Sequence, residues 1–143
     1  MLRKTVKFKN YDGVEITKDL YFNLRKDELI HMQFEEDGGL DKLLKKMQDE
    51  KDLKEIMRMF EKILKATYGE KSPDGNEFDK SEEAWKRFKS SNAYEAFYMD
   101  LISDPNNLSS FIDAVIPKFT QSEKDKFENV KNATNIVQEN KTN

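Results

Sequence analysis

Two Asp-Gly pairs, Asp12-Gly13 and Asp74-Gly75, come closest in this chain to the composition of a metal-binding loop. A calcium-binding loop needs oxygen ligands at alternate positions before its glycine and a glutamate six positions after it. Counted from the second pair, that last position is Ser81; counted from the first pair, the first ligand position is Phe8. Neither residue supplies the required carboxylate, so both pairs are predicted to be turns.

Side chains for catalysis are scarce. The chain has no cysteine and one histidine, His31, which has no second ligand or catalytic partner at a suitable spacing. Acidic runs at 35–37, 49–50 and 82–83 lie outside apolar stretches that would tune their pKa, and are interpreted as solvated helix ends and loops. Gly38-Gly39 is not followed by the Lys-Ser/Thr of a phosphate-binding loop. We expect no catalytic residue, no cofactor and no metal site, hence a protein that is not an enzyme.

Composition narrows the class of protein further. The 143 residues are 37% charged and 11% aromatic, with a net charge of −3. The aromatic content excludes a disordered chain, and the charge balance excludes a strongly basic nucleic-acid binder. No apolar run is long enough to cross a membrane, and none follows the basic start to form a secretory signal. These features predict one domain with a thin, aromatic core.

Residues 1–24 are predicted to form a β-hairpin. Apolar and polar residues alternate on both sides of residues 10–13, whose Asp-Gly pair tolerates the positive φ of a tight turn. The solvent-facing residues are basic in the first strand and acidic in the second, which favours cross-strand pairing. The apolar face comprises Leu2, Val6, Phe8, Val14, Ile16, Leu20, Phe22 and Leu24.

The hydrophobic period changes from two to 3.6 after Lys26. A short helix is predicted before Gly38-Gly39, a second around residues 40–47, and a strongly amphipathic one from residue 53 to Tyr68-Gly69. Asp52 and Glu55 have the spacing of a capping box at the start of that helix. The glycine at its end is expected to adopt the left-handed stop conformation.

Three more helices are predicted after a polar connector at residues 70–80 that carries two turn signals. Ser81, the run 90–92 and Asp104-Pro105 are typical helix starts, and Pro117 ends the last helix. The predicted fold class is α+β: an N-terminal β-hairpin (1–24) packed on a small bundle of about five to six α-helices (26–117).

Residues 119–143 differ from the rest, because they are rich in asparagine and carry few large apolar side chains. We predict a single domain at 1–118, followed by a marginal helix or flexible C-terminal tail at 119–143.

Two surface features suggest binding. The basic start, Arg3, Lys4, Lys7 and Lys9, either contacts phosphate or forms the solvent face of a strand paired with Glu15 and Asp19; the second interpretation is favoured. Aromatic residues cluster in the second half of the chain. Most are expected in the core, and the remainder, with the hairpin's edge strand, would dock a partner helix or a second copy. The candidate partner-binding residues are Tyr68, Phe78, Trp85, Phe88, Tyr94 and Phe97.

Several short motifs resemble those of the tail assembly chaperones of long-tailed bacteriophages and related prophages. They span roughly residues 10–118 at a distinctive spacing. They are Tyr21-Phe22-Asn23-Leu24, Tyr68-Gly69, Ser72-Pro73-Asp74-Gly75, Phe78, Lys80-Ser81, Ser90-Ser91-Asn92-Ala93-Tyr94, Phe111-Ile112 and Ile116-Pro117.

The resemblance implies a non-enzymatic protein of the host bacterial cytoplasm that coats the tape-measure protein, keeps it soluble and is absent from the mature virion. It also implies a tail-tube partner, bound either directly or through a longer product of a ribosomal frameshift. Self-association stays open, and neither nucleic acid nor membrane is an expected partner. The rival hypothesis is a small phage or prophage regulatory module that binds nucleic acid through its basic N-terminal arm.

Overall fold

A computed structural model describes residues 1–35 and 39–142, with side chains described for residues 1–32 and 40–133. The described residues form four strands and seven helices. In chain order these are β1 (Leu2–Lys9), β2 (Glu15–Phe22), α1 (Lys26–Glu35), α2 (Gly39–Asp49), α3 (Leu53–Thr67), β3 (Tyr68–Lys71), β4 (Phe78–Asp79), α4 (Glu82–Lys89), α5 (Asn92–Ile102), α6 (Pro105–Val115) and α7 (Gln121–Thr142). The predicted α+β class is confirmed. The predicted five to six helices are too few, because the C-terminal segment adds α7.

The predicted N-terminal hairpin is present. β1 and β2 pair antiparallel from Leu2 opposite Phe22 to Lys9 opposite Glu15. The turn places Gly13 at φ +80°, and the Asn10 side chain accepts hydrogen bonds from the two backbone amides of Asp12 and Val14. Positive φ costs a glycine little, so this sequence favours the observed turn.

The sheet has two further strands that the hydrophobic pattern did not predict. β3 pairs with β2 through Tyr21 opposite Gly69 and Phe22 opposite Tyr68, and β4 pairs with β3, giving the order β1-β2-β3-β4. Both new strands lie inside what was predicted as a helix end and a polar connector. β3 has four residues and β4 has two, and strands this short cannot show a recognisable alternation of apolar and polar residues.

The prediction that Gly69 ends α3 in a left-handed conformation is wrong. The helix ends with Tyr68 in extended conformation, and Gly69 is a strand residue without positive φ. Glycine is required at this position because the ring of Phe78 lies close to the backbone. A Cβ built on Gly69 would lie 2.5 Å from Cε2 of Phe78. The ring of Phe78 therefore crosses β3 where only a hydrogen fits.

The β3–β4 turn confirms the turn signal at Asp74-Gly75. Gly75 has φ +78°, and the hydroxyl of Ser72 donates to Oδ1 of Asp74 over 2.6 Å. The same Asp74 oxygen accepts from the backbone amide of Asn76. The Ser72 hydrogen bond is the main cause that lowers the pKa of Asp74.

Helix starts follow most of the predicted caps. Ser91 lies at the N-cap position of α5, but its side chain accepts no backbone amide of that helix. Asp52, Ser81 and Asp104 each accept a backbone amide of the first turn that they cap. The predicted capping box of α3 is wrong in its second half: Glu50, not Glu55, accepts the amide of Asp52. Glu55 instead accepts a hydrogen bond from the guanidinium of Arg58.

A complete capping box begins α7. The hydroxyl of Thr120 accepts the amide of Glu123, whose carboxylate accepts the amide of Thr120, both over 3.1 Å. Glu123 also accepts from Lys26 at 2.7 Å, which joins α7 to α1.

The core is an aromatic cluster at the junction of sheet and helices. The ring of Phe22 stacks on Phe97 at 4.8 Å between centroids and meets Phe111 edge-on at 5.0 Å. Phe60 from α3 contacts Phe111 at 5.4 Å. These four side chains are almost fully buried, so the hairpin is held on α3, α5 and α6 by large rings.

Candidate functional site

Five of the six predicted partner-binding aromatics belong to one connected ring cluster. Tyr68 stacks on Phe88 at 4.1 Å and meets Trp85 at 6.3 Å, while Phe88 contacts Phe97 at 6.3 Å. These four side chains are buried, and Tyr94 closes the cluster at its half-exposed edge. In the folded chain these four buried residues belong to the core and are not accessible to a partner.

Phe78 and Tyr94 are the two predicted residues that retain exposed surface. Phe78 lies apart from the ring cluster, over Gly69. Tyr94 contacts Trp85 at 6.0 Å and Tyr98 at 5.9 Å, and burial raises its pKa to about 12. Tyr94 thus connects the buried ring cluster to Tyr98, which also keeps exposed surface.

An apolar groove of about 450 Å³ continues from Tyr98 between α3 and α5. Its apolar lining is Leu53, Met57, Tyr98 and Ile102. Met57 forms the floor and is buried, whereas Leu53 is 62% exposed and Ile102 is 39% exposed. We call this surface the α3–α5 groove. In this groove, apolar side chains at the ends of α3 and α5 remain exposed to water, because neither helix extends far enough to bury them.

Leu53 and Ile102 both continue the apolar stripes of their helices, and that pattern by itself would place them in the core. Leu53 is the first residue of α3 and Ile102 the last of α5. An apolar residue at the end of a helix is flanked by a helical turn on one side only, so its own helix shields it less from water. That terminal placement is the sequence signal that could have marked these residues as surface.

Charged side chains border the groove. Arg58 pairs with Glu55 at 2.6 Å, and Glu61 pairs with Lys89. Lys54 forms no ion pair with any described residue. These exposed pairs contribute little stability individually, and they leave the side chains of Leu53 and Ile102 accessible.

A second cleft, of about 600 Å³, lies where α1, the end of α3 and the start of α4 meet. Lys80 donates to both carboxylate oxygens of Glu28 and to the carbonyl of Ala66, each over 2.9 Å. Burial is the largest influence on Lys80 and lowers its pKa, while the Glu28 contact opposes that shift. This arrangement indicates a structural role for Lys80, because its ammonium group donates hydrogen bonds to three acceptors.

His31 also lines this cleft. Among the described residues, no group of three or more His, Cys, Asp and Glu side chains could hold a metal ion. No helix in the described parts of the chain is both long and apolar enough to cross a bilayer.

The basic N-terminal residues lie on β1 at the edge of the sheet. Arg3, Lys7 and Lys9 are exposed and Lys4 is half-buried. Lys9 lies opposite Glu15, as the charge pattern predicted, whereas Asp19 lies opposite Thr5 and accepts a hydrogen bond from its hydroxyl over 2.6 Å. Arg3 and Lys7 lie opposite Tyr21 and Thr17, which carry no charge.

Comparison with known proteins identifies one family. A family model described as phage tail assembly chaperone matches residues 1–143, which extends beyond the motifs found at residues 10–118. No curated protein and no solved structure matches the chain.

Proposed function

The chain belongs to the phage tail assembly chaperone family, and we propose that it binds the tape-measure protein of a long-tailed phage or prophage and keeps it soluble in the host cytoplasm. In this proposal it also helps to recruit tail-tube subunits, directly or through a frameshifted longer product, and is absent from the mature virion. Membership in a chaperone family favours a non-enzymatic role, with protein partners in tail assembly.

The α3–α5 groove is the observation that carries the proposal. A chaperone must offer apolar surface to its client, and here Leu53 and Ile102 leave such surface open above a buried methionine. A groove between two helices suits the apolar face of an amphipathic helix. We therefore assign the groove to a helical segment of the tape-measure protein, with Tyr94 extending the contact beyond Tyr98.

The size of the groove fits transient binding. Burying two partly exposed aliphatic side chains contributes only about 2–4 kcal/mol before the cost of association. Copies that also contact one another along an extended client would hold it by avidity, because each bound copy then raises the effective concentration of the next. Each contact would remain weak enough for tail-tube subunits to displace it one copy at a time.

The test is co-expression with the tape-measure protein, scored by how much of that client stays soluble and is captured with the chaperone. Leu53→Glu and Ile102→Lys each place a charge in the groove, and each should reduce capture about tenfold. The acid at the start of α3 and the base at the end of α5 both suit the helix dipole, so neither change should unfold its helix.

Val14→Glu is the matched control. Val14 is also a large exposed apolar residue, at 56%, but it lies at the hairpin turn, outside the groove lining. Its variant should capture the client normally. Equal capture by all three variants would contradict the assignment of the groove, and absence of capture by the unaltered chain would contradict the proposed function itself.

A further inference from the structure

β1 is an outer strand of the sheet, and among the described strands it pairs with β2 alone. The amide of Asn10 donates to the carbonyl of Val14 over 2.9 Å, which makes residues 10 and 14 a hydrogen-bonded pair. Antiparallel pairs alternate between bonded and non-bonded along the ladder. The backbone groups of Arg3, Thr5, Lys7 and Lys9 therefore point away from β2, towards the open side.

One contact in the structure supports this assignment. The side-chain amide of Asn92, at the start of α5, donates to the carbonyl of Lys9 over 2.9 Å, which requires that carbonyl to face outward. Arg3, Thr5 and Lys7 have no backbone hydrogen bond to any other described element. Three outward-facing residues therefore keep backbone groups without a partner among the described residues, on a strand that packs against α5 and whose Lys9 end is occupied by Asn92.

The charge and hydrophobicity of the β1 side chains indicate which kind of strand could pair with this edge. Arg3 and Lys7 are exposed on the solvent face and form no ion pair with a described residue. On the opposite face, Leu2 and Phe8 are half-buried beside the core. An added strand would meet the positive charge of Arg3 and Lys7 on one face, and on the other the apolar side chains of Leu2 and Phe8 together with Lys4.

We propose that the β1 edge binds an extended segment of a partner protein in which acidic residues alternate with apolar ones. Such a segment would add a fifth strand, with its backbone bonded to Arg3, Thr5 and Lys7. Its acidic residues would lie beside Arg3 and Lys7, and its apolar residues would extend the core face. This surface is separate from the α3–α5 groove and does not depend on the proposed function.

A second copy of the chain is a poor occupant of the same edge. Pairing β1 with β1 of another copy would bring the basic residues of both strands together without an acidic partner. Like charges across a strand pair are destabilising, and lysines on an edge discourage such pairing. Charge complementarity therefore selects an acidic strand.

The test titrates the full chain with a synthetic peptide of alternating glutamate and valine, followed by amide hydrogen exchange of the backbone. Binding should slow exchange at Arg3, Thr5 and Lys7. It should leave Lys4 and Val6 unchanged, because their amides already bond to β2. A peptide of the same composition, with its glutamates and valines in separate blocks, is the control and should bind at least about tenfold more weakly.

Two variants separate the backbone contribution from the charge. Lys7→Pro removes one outward amide at a position that β2 does not use, and should weaken peptide binding about tenfold. Lys7→Gln removes only the charge and should weaken binding about two- to threefold. Unaltered exchange at Lys4 and Val6 in the free variants would establish that the hairpin still forms.

Three outcomes would overturn the proposal. The first is no binding of the alternating peptide to the unaltered chain. The second is binding without protection of Arg3, Thr5 and Lys7, which would indicate a general electrostatic contact. The third is tighter binding of a single-stranded oligonucleotide at the same residues, with affinity that falls steeply with salt, which would assign the edge to nucleic acid.

Discussion

Gly69 lies beneath the ring of Phe78, and the absence of a side chain there lets β4 cross close to β3. Glycine is often explained by a turn, yet here its backbone is an ordinary strand conformation. The requirement comes from a residue nine positions later in the chain. Local reasoning can find a glycine at a helix end but cannot find the ring that lies over it.

Gly69→Ala should lower the free energy of unfolding by about 1–3 kcal/mol, because the new methyl group must displace the Phe78 ring. Chemical denaturation of the purified chain measures the loss. The double variant with Phe78→Val should lose less than the sum of the two single variants, since the smaller side chain gives way to the methyl group. Additive losses would show that Gly69 and Phe78 are not coupled.

At the scale of elements, α7 is joined to the rest through its first turn. Glu123 completes the capping box with Thr120 and pairs with Lys26 of α1. The Lys26 hydrogen bond is the largest cause that lowers the pKa of Glu123 from 4.5 to about 2. One carboxylate thus both starts the helix and attaches it.

The attachment should depend on pH with a definite sign. Because the folded pKa of Glu123 lies below its ordinary value, its contribution is complete above about pH 5 and is lost as pH falls towards about 2. An NMR titration should show the Thr120 amide shifting with a midpoint near 2. Glu123→Gln should abolish that titration and leave the first turn of α7 less protected from exchange at pH 7.

Glu128→Gln is the matched control for this helix. Glu128 is an exposed acid on α7 without a hydrogen bond to another described residue. Its variant should leave the Thr120 titration unchanged. A Thr120 midpoint near 4.5 in the unaltered chain would contradict the role of Lys26.

Considered as a whole molecule, the protein places its aromatic core before residue 118. Phe22, Phe60, Phe97 and Phe111 connect the hairpin to α3, α5 and α6. Phe119 adds a partly buried contact at the margin of this core. We propose that residues 1–118 are the folding unit, with the C-terminal segment attached to it.

Chains ending at Thr120 and at Lys118 test this division. Both should unfold cooperatively and keep the near-ultraviolet circular dichroism of packed aromatic rings. The shorter chain should be less stable by about 1 kcal/mol, because it lacks Phe119. Loss of cooperative unfolding in the longer truncation would place α7 inside the folding unit.

The two binding surfaces also belong to this scale, since each depends on distant parts of the chain. The α3–α5 groove joins residues 53 and 102, and the outer backbone groups of β1 are left without a strand partner because none of the later strands that the structure describes returns to it. Their positions allow a helical client and an extended partner to bind the same chaperone at different places.

The sequence alone determined the hairpin and the main helices, because alternation, helical period and capping residues act over a few neighbouring positions. It also carried the motifs of the chaperone family. Asp52, Ser81 and Asp104 were therefore found in advance as helix caps.

Only the tertiary structure decided which apolar residues stay exposed. Tyr68, Trp85, Phe88 and Phe97 share helical or strand patterns with Leu53 and Ile102, yet the first four are buried and the last two line an open groove. Burial depends on whether another element covers a side chain, and the covering element is set by long-range packing. The short strands β3 and β4 escaped prediction for the same reason, because β3 forms by pairing with the distant β2 and β4 forms by pairing with β3.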